Sequence, residues 1–140
     1  MSADTSIRVL FALQYFQNDA IIAHVDRLVR CACESRQVSS WHLIVHQDDG
    51  LESHTQRWQR KLRDYGRNAT LILSDGIHEV RAYNMMVRMR DDIDLAVLLQ
   101  DDDVPPRGCA WLEVPPPPCS AACKRPTRVR RAPPEQEGRR

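Results

Sequence analysis

Three acidic clusters are the residues of this chain whose type and spacing could do chemistry. Asp48-Asp49-Gly50 follows the apolar run Trp41–Val45, Ser74-Asp75-Gly76 follows Ala69–Leu73, and Asp101-Asp102-Asp103 follows Asp94–Leu99 through Gln100. Asp and Gly favour turns, so one reading of each cluster is that it merely ends a strand. That reading is preferred for Asp75 and stands open beside a ligand role for Asp48 and Asp49. Three consecutive carboxylates have no such structural benefit. They repel one another, and a folded chain tolerates them best when a cation or a donor-rich ligand sits among them. Donors that are all oxygen favour a hard metal, Mg²⁺ or Mn²⁺.

Other chemistries lack their residues. There is no G-x-G-x-x-G after the first apolar run and no G-x-x-x-x-G-K-[ST], and the whole chain holds five glycines. A dinucleotide site of the glycine-rich kind and an ATPase loop are therefore disfavoured. No nucleophile elbow supports Ser/His/Asp catalysis. The histidines at 24, 42, 46, 54 and 78 show no ligand spacing, and His46, beside the first acidic turn, is expected at the surface. Five cysteines, Cys31, Cys33, Cys109, Cys119 and Cys123, are odd in number. Without a secretory signal they are expected as reduced thiols, and no His at finger spacing accompanies them to hold zinc.

The elements that must position the acids alternate along the chain. Ile7–Leu13 is short, apolar and partly β-branched, as a buried strand requires. Ile21, Ile22, Val25, Leu28, Val29 and Ala32 form one helical stripe, with Asn18 or Asp19 expected as its N-cap. Trp41–Val45 is a second strand. Leu51, Trp58, Leu62 and Tyr65 mark a polar helix ended by Gly66. Ala69–Leu73 is a third strand, and Val80, Tyr83 and Val87, with Met86 beside them, mark a third helix. Asp94–Leu99 is a fourth strand. Strand and helix in strict alternation predict an α/β domain with a mostly parallel sheet. Strands apolar throughout predict burial on both sheet faces. In such a sheet the carboxyl ends of the strands share one edge, so the three acidic clusters are expected to converge on one cleft there.

Composition divides the chain. Of 140 residues with net charge +1, the last 27 hold seven of the nine prolines and seven Lys/Arg against two Asp/Glu, a charge of +5, leaving −4 on residues 1–113. Residues 1–113 are read as the folded domain and 114–140 as a disordered Pro/Arg-rich tail. The scattered tail charges lack interleaved aromatics, so no nucleic-acid partner is expected. No run approaches the roughly 20 apolar residues of a membrane span, and the first apolar run lacks a basic leader. No membrane segment and a cytoplasmic location are the expectations.

Two segments resemble a known family. Trp41-His-Leu-Ile-Val-His-Gln-Asp-Asp-Gly50 resembles the second strand of inverting family-2 glycosyltransferases. Val80-Arg-Ala-Tyr-Asn84, a helix, then Leu95-Ala-Val-Leu-Leu-Gln-Asp-Asp-Asp-Val-Pro105 resembles their donor-site region, where a strand ends in a D-x-D motif. Trp111-Leu112 would fit the next helix. The resemblance spans about residues 7–113. It implies a Rossmann-like GT-A sandwich, here incomplete, that binds a nucleoside-diphosphate sugar with Mn²⁺ or Mg²⁺. By resemblance, Asp49 with Asp48 beside it would hold the base, Gln14 would lie near the nucleoside and Arg81 near the diphosphate. Asp101 to Asp103 would serve the ribose and metal, Asp101 and Asp102 among the nucleotide-sugar contacts and Asp102 or Asp103 as the metal ligand. Either Asp101-x-Asp103 or Gln100-Asp101-Asp102 is the motif. From the residues alone, Arg81 is a solvated helix residue.

The chain also departs from that family. The family's acceptor site and catalytic carboxylate follow the D-x-D by many tens of residues, whereas here the proline-arginine tail follows at once. No catalytic base is named, and the acceptor is open. The expectation is the donor-binding half of a glycosyltransferase whose tail reflects truncation or a change of frame. An inactive nucleotide-sugar-binding fragment is the first alternative. A receiver-like phosphoacceptor domain is the second, disfavoured because receivers carry their acidic pair on the first strand.

Overall fold

A computed structural model describes residues 6–113 of the chain; the tail at 114–140 lies outside the described residues. The elements are β1 (Ile7–Tyr15), α1 (Ile21–Glu34), β2 (Val38–Gln47), α2 (Glu52–Arg63), β3 (Ala69–Leu73), α3 (Glu79–Arg88) and β4 (Leu95–Gln100). Short 3₁₀ turns cover Gly66–Asn68 and Ala110–Leu112. The sheet is wholly parallel, in the order β3-β2-β1-β4. This is a Rossmann-like α/β arrangement. A receiver's order places β1 between β2 and β3, and here β3 lies at the far edge from β4.

The order decides where the helices lie. The chain moves outward from β1 to β2 to β3, then jumps back to the other side of β1. Right-handed crossovers place the first two helices on one face and the returning helix on the other. The cores agree. Val9, Phe11, Leu13, Leu43 and Val45 pack with Val25 and Leu28 of α1 and Trp58 of α2. Leu10, Ala12 and Ile44 pack with Ala82 and Met86 of α3. Alternation along β1 thus feeds two cores, and Val9 to Leu13 are buried without a break.

Several elements differ from the expected bounds, burial and caps. β1 runs two residues past Leu13 to Tyr15, and β2 begins at Val38 and ends at Gln47. Burial on both faces holds for β1 and for β2 from His42 onward, but β3 has no fully buried residue and β4 only Leu99. Both are edges of the described sheet, so neighbours cover them on one side only. The N-cap of α1 is Ala20, without a side-chain cap, rather than Asn18 or Asp19. Asn18 instead closes a turn by accepting the Ala20 N–H at 3.1 Å.

The buried face of α3 also differs from the expected stripe. Ala82 and Met86, one turn apart, face the sheet, while Val80 is 71% exposed and Val87 is exposed as well. A small side chain lets the helix approach Leu10 and Ala12 closely, and unbranched Met fills the irregular gap beside it. Tyr83 is half-buried and donates its hydroxyl to the Leu99 carbonyl at 2.7 Å, fastening α3 to β4.

Two of the cysteines are not the reduced thiols expected. Cys31 of α1 and Cys109, beyond β4, form a disulfide with Cα atoms 5.2 Å apart. The helix face that buries Leu28 also turns Cys31 toward the segment that follows β4, which brings the two sulfurs together. Cys33, two residues on, points elsewhere and is an exposed thiol.

Candidate functional site

The strand order reverses between β1 and β4, and such a reversal opens a crevice at the carboxyl ends of the strands. A cleft of about 560 Å³ lies there. Gln14 and Phe16 from the end of β1 line it, with Asp48 and Asp49 after β2 and Gln100, Asp101 and Asp102 after β4. Asp75, Gly76, His78 and Glu79, from the passage between β3 and α3, complete it. The three acidic clusters therefore do meet. Gln14 is paired in register with His46 on one side and Gln100 on the other, which sets a polar row across the sheet just below the acids.

The carboxylates differ in what already holds them. Asp48 is nearly buried, and its Oδ1 accepts the Ser74 hydroxyl at 2.7 Å and the Ile77 N–H at 3.2 Å. Burial opposes its ionisation, but the surrounding groups together, the Ser74 and Ile77 hydrogen bonds foremost, hold the carboxyl below its ordinary value. Asp49 behaves alike. Burial works against its charge, while hydrogen bonds from His54, the Leu51 N–H and Gln47 leave it depressed. Asp49 Oδ1 accepts the Gln47 side-chain amide at 2.6 Å and the Leu51 N–H at 2.9 Å, and the His54 ring meets Oδ2. Both carboxylates are thus fixed anions on the cleft wall.

Asp101 is held differently. Its Oδ2 accepts three successive backbone N–H groups, Phe16 at 3.0 Å, Gln17 at 2.7 Å and Asn18 at 2.7 Å. The carboxylate thereby shapes the passage from β1 to α1. Asp103 turns back, its Oδ2 accepting the Gln100 N–H at 2.6 Å, and it lines a separate apolar hollow beside Val104. Asp102 is exposed on the cleft wall and takes part in no hydrogen bond among the described residues.

Arg81 does not line this cleft. It lines a different hollow with Asn84, Met85, Arg88 and Met89. Because Ala82 and Met86 fix the inward face of α3, positions 81, 84, 85 and 88 share an outward stripe.

Several residues in or beneath the cleft carried no sequence signal. Ser74, which anchors Asp48, stands out only once the chain is folded. His46 is fully buried, contrary to its expected place at the surface. Ser74 donates to Asp48, so its oxygen accepts from His46 Nε2 at 2.7 Å, which assigns the proton to that nitrogen. Phe16 stays 55% exposed at the mouth of the cleft and offers a flat apolar face. His78 adopts φ 67° and ψ 156°, a region that side chains rarely occupy. Gly76 before it also has positive φ, 71°, which glycine accommodates.

The acids do not form a protein-only metal cage: among the described residues no group of three His, Cys, Asp or Glu is arranged to hold an ion. Magnesium commonly uses one or two carboxylates and takes its other ligands from phosphates and water. Of the two carboxylates expected to hold the metal, only Asp102 lines the cleft; Asp103 turns back to the Gln100 N–H and does not.

Fold and cleft together define a class, a Rossmann-like α/β protein with an acidic crevice at the switch point of its parallel sheet. No family model, curated protein or solved structure matches the chain. No helix among the described residues is long and apolar enough to cross a membrane.

Proposed function

We propose that the cleft binds a nucleoside-diphosphate sugar together with Mg²⁺ or Mn²⁺, as the donor half of a family-2 glycosyltransferase of the GT-A fold would. One observation carries the reading: Gln14, Asp48, Asp49, Asp101 and Asp102, distant in sequence, line one cleft of about 560 Å³. That volume is in the range of small-molecule sites, roughly 300–1,000 Å³. The fixed carboxylates of Asp48 and Asp49 suit the N–H donors of a base. Phe16 supplies a face on which a base can stack, and the Asp101–Asp102 side is where ribose hydroxyls and a metal-bound diphosphate would fall. Asp101 orders the loop that carries Phe16, so its role in this reading is positioning as well as contact.

A binding-only function is the second reading, and the bonding of the acids favours it. Asp49 and Asp101 are occupied in holding backbone and side-chain donors rather than standing free. Titration of the full chain with UDP separates these proposals from neither. Binding that needs Mn²⁺, and that is lost in an Asp102→Ala, Asp103→Ala double variant, is the expected result. Binding that survives the double substitution would remove the metal assignment. Release of free UDP from a UDP-sugar distinguishes turnover from binding alone.

A further inference from the structure

The segment 101–113 leaves β4 and crosses the α1 side of the sheet as a strap. It is tied at three places. Asp101 accepts the N–H groups of Phe16, Gln17 and Asn18. In the middle, Arg27 of α1 donates from Nη2 to the Pro105 carbonyl at 2.9 Å. At the far end Cys109 is bonded to Cys31. Arg27 and Cys31 are one helical turn apart and therefore share a face of α1. Only the last tie is covalent. Beyond it Leu112 is buried, and Trp111 packs edge-on against Phe11 with ring centres 6.2 Å apart. The docking is not fully satisfied, since the Trp111 Nε1–H is buried without a partner among the described residues.

We propose that the Cys31–Cys109 disulfide is a redox clamp on this strap, and that its state sets how firmly the Asp101–Asp102 side of the cleft is held. A dithiol reductant would transfer two electrons and two protons. The Sγ–Sγ bond breaks, Cys31 and Cys109 each become a thiol, and the dithiol closes to its own disulfide. The strap is then held only by non-covalent contacts: the Asp101 and Arg27 hydrogen bonds and the packing of Trp111 and Leu112. It opens more often, and Asp101 leaves the three N–H groups more often. Reoxidation restores the hold. The regulatory meaning rests on the nucleotide-sugar reading of the cleft; the clamp itself does not.

The test uses the full chain, oxidised and after reversible reduction by dithiothreitol. Peptide-mapped alkylation should label Cys33 without reductant, and Cys31 and Cys109 only with it. In the reduced chain, hydrogen exchange at the Phe16, Gln17 and Asn18 amides should quicken about tenfold. Trp111 emission should shift toward that of a solvated indole, read against a Trp111→Phe variant. The far-ultraviolet signature of the sheet should not change. Labelling of Cys31 and Cys109 without reductant would overturn the proposal, as would exchange at residues 16–18 indifferent to reduction. Loss of the whole fold on reduction would overturn it as well, since the bond would then be a general staple. Cys109→Ser should reproduce the reduced state and Cys33→Ser the oxidised one. Should Cys109→Ser fail to fold, the reversible reduction of the unaltered chain still decides. If UDP with Mn²⁺ binds neither redox form while exchange responds as expected, the ligand reading falls and the clamp stands.

Discussion

At the scale of single residues, the cleft is built from carboxylates that have taken on different tasks. Asp101 shows this best, because one oxygen serves three backbone donors. Replacing it by Ala leaves those donors without an acceptor, and a loss of about 2 kcal/mol in urea unfolding is expected. Asp101→Asn keeps an acceptor oxygen and should lose about half as much. The acids themselves were legible in the sequence, since three clusters at strand ends have to meet in a parallel sheet. Their partners were not. Nothing local marks Ser74 as the donor to Asp48, because the two are 26 residues apart and meet only when β3 lies beside β2. Arg81 was named through a family pattern, yet the helix face it occupies depends on what Ala82 and Met86 bury.

At the scale of elements, β2 combines a structural and a titrating role. His42 and His46 point to the α3 face of this strand. Burial pushes both imidazoles below their ordinary value of 6.5, and the nearby Arg90 adds to the effect at His42. The unfolded chain therefore binds more protons than the folded one in the range just beneath 6.5. Stability is full above that range and falls as pH drops through it toward the folded values. Urea midpoints measured at about pH 7.5 and about pH 5.5 should decline accordingly, and a His42→Gln, His46→Gln double variant should flatten the decline. The order and kind of elements were readable from apolar spacing, and the bounds of β3 agree with the sequence. α3 was readable as a helix but not in its facing. It offers two apolar sets, and the set that packs on Leu10, Ala12 and Ile44 is Ala82 with Met86, a tertiary matter.

At the scale of the whole described body, the sheet has two open edges. Beside β1, β4 has one hydrogen-bonded neighbour among the described strands, and its Leu95 and Leu98 are partly exposed. An uncharged apolar edge of this kind is a template for unwanted pairing. Leu98→Lys, at 49% exposure, should lower light scattering on concentration while leaving the melting temperature nearly unchanged. The disulfide was illegible beforehand, because five cysteines give no pairing and the 78-residue separation of Cys31 from Cys109 gives no local cue. A bond closing so long a loop restricts the unfolded chain by about 4 kcal/mol on the chain-entropy account.

One feature of the β1–β4 pair reaches further. At one end the Arg8 guanidinium grips both oxygens of Asp94, each at 2.9 Å, and these contacts hold the Asp94 carboxyl at about 2. At the other end Asp101 holds residues 16–18. The strands run parallel, so a pull on the start of β1 and the end of β4 acts along the ladder and loads all its hydrogen bonds together. Unzipping one bond at a time would need a different direction of force. The body should resist stretching between Ile7 and Gln100 far better than stretching across the sheet, and the two end grips should set where it first yields.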